Sequence, residues 1–282
     1  MTYTYEVENI DSITKVTVNY TFYTDNENTN DGLSFYSADS SIVNFYNALG
    51  GNLTIIQFGD IPLSKGGNQF SNLNNLIFDS GSGVPTMPFF GTSLINCFSN
   101  TNFNSDVSSL DVSNVTTMEN MFKSASTFNQ NLNSWDVSNV TNMTFMFNLA
   151  TAFNNGEVSL ATWSAPLCTS FFGMFQSATA FNQPIPNLVN TSGVALSSLA
   201  AMFSGATIFN QNVGAWDVSN VQDMTSIFRN TNAFNNGGFD MNNWDVSNAN
   251  DMTNIFNSAI AFNNGGAPGT SSAPLTWYAP PV

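Results

Sequence analysis

The sequence contains no histidine, and the side chains whose spacing could carry chemistry are carboxylates, carboxamides and two thiols. Without imidazole the Ser-His-Asp and Cys-His arrangements are excluded, and so is the commonest general base and metal ligand. The glutamates are Glu6, Glu8, Glu27, Glu119 and Glu157, and a carboxylate pair acting on a glycan is the one catalytic reading they leave. The aspartates behave differently: Asp111, Asp136, Asp217 and Asp245 each stand in a D-V-S-N segment and recur with a period. Stacking would bring those of adjacent copies within about 5–6 Å of each other, which makes the four candidates for a calcium row. Each also has a simpler task available, that of making a turn by bonding its own backbone. A catalytic group should interrupt a repeat rather than recur with it. The expectation is therefore a protein that is not an enzyme and has no cofactor, with calcium the one ion to consider.

A second periodic row consists of carboxamides: Asn104, Asn129, Asn154, Asn182, Asn210, Asn235 and Asn263 each follow a Phe. Such a row could present amides to a ligand. The reading preferred here is an internal ladder that satisfies turn backbone groups, since buried N–H and C=O groups are costly to leave unpaired. Cys97 takes the place of a repeated Met and Cys168 that of a repeated Val, so both are expected to be small buried hydrophobes. Six N-x-S/T sequons, at Asn19, Asn52, Asn114, Asn139, Asn142 and Asn190, are read as chance.

These residues sit on a repeated unit. Its clearest copies read FNQNLNSWDVSNVTNMTFMFNLATAF from 128 and FNQNVGAWDVSNVQDMTSIFRNTNAF from 209, and the F-N pairs are spaced by 25 or 28 residues. A fixed period of this size specifies a stack of like units. The extra residues of the longer copies fall just after F-N, as in FNNGEVSLATW and FNNGGFDMNNW. F-N-Q-x-L-x-x-W suits a short extended segment, whereas V-T-N-M-x-x-M-F-x-x-A places apolar residues at helical spacing. The Ser of D-V-S-N, or the Asn after it, stands where a helix N-cap is wanted. The expected fold is an α/β repeat solenoid in which short parallel strands alternate with short helices. Phe128, Trp135, Phe147, Phe153, Trp163, Phe209, Trp216, Phe228, Phe234 and Trp244 are expected to form its core columns. The copy at 181–209 lacks W-D-V-S-N, and Leu188 and Thr191 compete for its Trp slot.

Residues 1–51 read as an N-terminal β-rich cap, with strands around Tyr3–Val7 and Thr14–Thr24 and a helix over Asp39–Leu49. Residues 52–100 read as irregular first repeats, 101–266 as the regular array, and 267–282 as a Pro-rich tail in which Trp277 can fold back. Tyr3, Tyr5, Tyr20, Tyr23, Tyr36 and Tyr46 give the cap either an adhesive face or ordinary strand-face aromatics.

With 19 acidic residues against four basic ones, the net charge of −15 disfavours nucleic acid and anionic membrane, leaving cations, basic protein patches or neutral glycans as partners. No signal peptide or membrane-spanning segment is visible, so an extracellular, cell-surface or virion location is expected without the usual secretion signal.

The string WDVSNVTNM, followed by MF, Ala and FNQ, resembles the BspA-like leucine-rich repeat proteins and the related repeats of mycoplasma surface lipoproteins, a repeat type also abundant in giant viruses. The resemblance covers roughly residues 70–266. It implies a leucine-rich-repeat-like solenoid engaged in surface adhesion or protein binding, with no catalytic residues to carry over. Bacterial members carry export signals or anchors that this chain does not show. The expected role is accordingly a structural part of an assembly such as a virion, filament or surface layer, in contact with copies of itself or neighbouring subunits. An adhesin for a host protein or glycan is the alternative.

Overall fold

The computed structural model describes residues 2–8, 15–21, 53–55, 67–73, 76–78, 92–189 and 196–264. β1 (Thr2–Glu8) and β2 (Lys15–Thr21) pair antiparallel, with Thr2 opposite Thr21 and Glu8 opposite Lys15. β3 (Leu53–Ile55) and β4 (Leu76–Phe78) pair in parallel. The helix expected over 39–49, the side chains of the N-terminal tyrosines and the tail 267–282 lie outside what is described.

The expected strand–turn–helix unit is not what the repeat adopts, and the α/β solenoid of leucine-rich-repeat type is corrected accordingly. Among the described residues the helical pieces are two three-residue 3-10 turns, Asn155–Glu157 and Asn236–Gly238. The F-N-Q segment is not a strand either. Copies are instead linked by isolated parallel bridges running Ser93, Thr117, Asn142, Ser170, Ser198, Asp223, Asp251, one position before the first Met slot.

The unit is a run of tight turns. In the clear copy that starts at 128, i→i+3 hydrogen bonds close at Trp135 N–H to Leu132 O, Val140 to Val137, Met146 to Met143, Asn148 to Phe145, Ala150 to Phe147 and Phe153 to Ala150. The intervening N–H groups leave the copy: Met143, Phe145, Phe147 and Leu149 donate to Ser170, Phe172, Met174 and Gln176 of the next. What prevents a helix is a left-handed residue at every fourth position of the M-x-x-M-F segment. These are Asn96 and Asn100, Asn120 and Ser124, Phe145 and Leu149, Gly173 and Ser177, Ala201 and Gly205, Ser226 and Asn230, and Asn254 and Ser258, all with φ between 54° and 76°. A left-handed residue turns alternate N–H groups out along the stack, where a helix would keep them inside the segment. Met143, Met146, Phe147 and Ala150 nevertheless all point inward, being the first and last residues of successive turns.

This geometry lines up the side chains of successive copies. Phe98, Phe122, Phe147, Phe175, Phe203, Phe228 and Phe256 form one column with ring centroids 5.3–5.7 Å apart and planes within 7° of parallel. Phe103, Phe128, Phe153, Phe181, Phe209, Phe234 and Phe262 form a second at 5.8–6.2 Å. The two interleave at 3.7–4.4 Å. Offset stacking of this kind adds about 0.5–1.5 kcal/mol per pair to the burial itself. Each Trp indole ties its copy to the one before: Trp135 donates to Val107 O, Trp163 to Leu132 O, Trp216 to Ile185 O and Trp244 to Val213 O, at 3.0–3.2 Å. In the irregular copy Leu188 occupies the Trp slot, fully buried, its N–H closing the same turn on Ile185.

Candidate functional site

The periodic polar residues are turned toward their own stack. The carboxamide Oδ1 of Asn104 accepts the backbone N–H of Asn129, and the relation repeats through Asn154, Asn182, Asn210, Asn235 and Asn263 at 2.7–2.9 Å. Among the described residues the row ends at Asn263, whose buried Oδ1 finds no partner there. In two of the three F-N-Q copies the glutamine joins in, Gln130 Nε2 donating to Asn104 and Gln211 Nε2 to Asn182.

The F-N-N copies hold residues that sequence reasoning missed. Asn155 and Asn236 are fully buried, and their Oδ1 atoms accept Leu132 N–H at 2.8 Å and Val213 N–H at 2.7 Å, reaching back one copy. Asn264 does the same for Met241 N–H at 2.9 Å. Their left-handed φ values of 54°, 50° and 51° suit Asn. The glycine that follows, Gly156 or Gly237, turns its N–H onto Asn129 or Asn210 at 3.0 Å, which seats the three-residue insert. The signal was the N-N-G that follows the Phe in two of the three longer copies, those starting at 153 and 234.

The D-V-S-N aspartates are turn formers. Oδ1 of Asp111, Asp136, Asp217 and Asp245 accepts the N–H of Ser113, Ser138, Ser219 and Ser247 at 3.0–3.1 Å. The Ser hydroxyls of Ser113 and Ser219 add bonds of 2.6 and 2.7 Å. A β-turn follows rather than a helix, so neither the Ser nor the Asn after it is an N-cap. The Ser113 hydroxyl and N–H hold the Asp111 carboxyl below its ordinary range, and Ser138 does the same for Asp136 despite the opposing charge of Asp111. Asp245 is lowered by Ser247, first through the backbone bond, against the charge of Asp217. Among the described residues no group of three or more His, Cys, Asp or Glu is placed to hold a metal ion.

The two thiols lie apart in the core. Burial pushes Cys97 well up and Cys168 to about 12, which disfavours the thiolate form of both. Glu119 is held by Asn142 Nδ2 at 3.1 Å and Asn120 Nδ2 at 3.4 Å, and Glu157 by Asn154 Nδ2 at 2.7 Å. The side chains of Glu6, Glu8 and Glu27 are outside the described residues.

The family described as Mycoplasma protein of unknown function, DUF285, matches residues 92–197 and again residues 187–267. The chain belongs to this family. No curated protein and no solved structure matches it. The two DUF285 matches overlap in the irregular copy, where W-D-V-S-N is missing and Leu188 replaces Trp. No helix among the described residues is long and apolar enough to cross a membrane.

What breaks the period in this DUF285 array is found on the surface. Phe172 is 36 % exposed, Leu149 46 %, Leu167 42 % and Phe239 60 %. Phe145 and Phe172 meet edge to face at 4.9 Å, with Lys123 Nζ 5.2 Å from the Phe145 ring centroid. Corresponding positions in other copies are Asn120, Ser226 and Asn254 for Phe145, and Thr225 and Thr253 for Phe172.

Proposed function

We propose that this DUF285 protein is a non-catalytic, surface-exposed structural part that works through protein–protein contacts in an assembly. The observation that carries the reading is the division of labour among its side chains. Recurring Asn and Trp residues join copies to one another, and recurring Asp residues close turns within a copy. The apolar residues that break the period stand exposed, as interface anchors do. A catalytic reading lacks histidine and has its described glutamates engaged by neighbouring amides. The resemblance of W-D-V-S-N-V-T-N-M to BspA-like surface repeats supports exposure at a cell or virion surface, and it also supports the second reading, an adhesin for a host protein or glycan.

The test is the solution mass of the purified chain by light scattering, with and without millimolar calcium. Concentration-dependent species above 30.5 kDa are expected in both. A strict monomer would overturn autonomous assembly, and calcium-dependent association would return the aspartate row to consideration as an ion site.

A further inference from the structure

The stack presents an edge of donors at its last described copy. In interior copies alternate N–H groups of the M-x-x-M-F turns find carbonyls in the next copy, as Met224 does on Asp251, Ser226 on Thr253 and Asn230 on Asn257. The matching donors of the last copy are Met252, Asn254 and Ser258, and their N–H groups have no acceptor among the described residues. The side chains follow the same division. Val218, Val221, Met224, Phe228 and Phe234 are buried, whereas Val246, Ala249, Met252, Phe256 and Phe262 are only partly so. A row of unpaired donors beside half-covered core residues invites strand addition by other chains, and the ends of repeat arrays need a cap for that reason.

The chain that runs on from this edge carries the start of a further copy. Phe262 stacks on Phe234 at 5.8 Å, Asn263 N–H donates to Asn235 Oδ1 at 2.8 Å, and Asn264 Oδ1 accepts Met241 N–H at 2.9 Å, as the F-N-N residues of earlier copies do. Beyond F-N-N-G the sequence reads S-A-P-L at 272–275, and the same four residues stand at 164–167 in the copy that begins at Phe153. There they occupy the D-V-S-N place: Ala165 is buried, its carbonyl accepts Cys168 N–H at 3.0 Å, and Leu167 is exposed. Ser272 follows Phe262 by ten residues, and Ser164 follows Phe153 by eleven. Pro268, Pro274, Pro280 and Pro281 have no N–H, so this stretch can offer carbonyls to the edge while presenting few donors of its own.

We propose that residues 265–282 cover this edge as a further copy. S-A-P-L of 272–275 takes the place that S-A-P-L of 164–167 takes in its own copy, with Ala273 turned inward, and carbonyls of the residues that follow accept Met252 and Asn254 N–H. Such a cover shuts this end of the stack to other chains and leaves its sides for contacts in an assembly. The proposal goes beyond the assembly reading and holds equally for a monomer.

The test is amide exchange at Met252 and Asn254 in the full chain, followed by NMR at two protein concentrations. Both amides should exchange at least about tenfold more slowly than unprotected ones, and equally at each concentration. Ala273→Asp should remove that protection while Met224, bonded to Asp251 O, keeps its own; Leu275→Asp, at the exposed position, should change neither. If Ala273→Asp also speeds exchange at Met224, Thr276→Asp, at the position of buried Cys168, is read by the same criteria. Exchange at the unprotected rate in the wild type would overturn the proposal. So would protection that grows with concentration, which would assign the edge to a second copy and favour the assembly reading. Protection that survives Ala273→Asp, or that Leu275→Asp removes as well, would overturn the register and the proposal with it.

Discussion

Replacing Asn155 by Ala tests the reasoning about inserts most directly. The side chain is fully buried, accepts Leu132 N–H at 2.8 Å, and donates to Val158 O at 2.8 Å and to Asn133 Oδ1 at 3.2 Å. Truncation leaves the N–H of fully buried Leu132 without a partner, which costs about 1–3 kcal/mol. Val158 is 39 % exposed, so water can take over its carbonyl and that loss is small. Ala must also hold the φ of 54° that Asn tolerates, at about 1 kcal/mol. Together these give about 3 kcal/mol. Urea unfolding followed by tryptophan fluorescence measures the change, and amide exchange at Leu132 reports the local opening if the stack unfolds in pieces. Asn236→Ala is an internal replicate, since its Oδ1 holds Val213 N–H at 2.7 Å in the same way. Asn131→Ala, an exposed position that caps only Asn133 N–H, should stay within about 0.5 kcal/mol of wild type. If Asn155→Ala and Asn131→Ala unfold at the same urea concentration and Leu132 exchanges no faster, the buried-anchor argument is wrong.

Leu149→Asn should stabilise the fold by about 1 kcal/mol, since it relieves a left-handed backbone at φ 60° under an exposed side chain; a lower thermal midpoint would contradict this. Gly173→Ala places a Cβ on the edge of the Phe145 ring at φ 58°, and the cost should fall to about 1 kcal/mol, the backbone part alone, in a Phe145→Ser background. An unchanged cost in that background would show that the ring is not the obstacle. Asp111, Asp136, Asp245 and Asp251 are depressed from 3.8 by bonds from Ser113, Ser138, Ser247 and Thr253. The stability they contribute is present above their unfolded values and is lost as pH falls through the folded ones. Carboxyl NMR should find Ser113→Ala raising the Asp111 midpoint toward 3.8, since the Ser113 hydroxyl is the larger cause; no change would refute that cause.

Residue identity and period carried much of the molecule's internal wiring. Phe and Asn at 25- and 28-residue spacing can stack only if each copy repeats the backbone of the last, which is why the Asn row and the two Phe columns run through the described copies. Conformation was another matter. Apolar residues at i, i+3, i+4 and i+7 describe a helix, and they equally describe consecutive β-turns whose first and last residues point inward. The clue against a helix was the residue at every fourth position, Asn100, Asn120, Gly173, Gly205, Asn230 or Asn254, each tolerant of positive φ. A turn run and a helix satisfy the same local pattern and differ in where alternate N–H groups go. Only the neighbouring copy, with Ser170, Phe172 and Met174 carbonyls in reach of Met143, Phe145 and Phe147, decides between them. The occupant of the missing Trp slot and the burial of Asn155 were settled in the same way, by what the adjacent copy offers to fill or to bond. The sequence by itself therefore determined the Phe and Trp columns, the Asn row and the Asp turn formers, and it singled out none of the exposed apolar residues. The tertiary stack determined the backbone they share, because its hydrogen bonds are made between copies rather than within one.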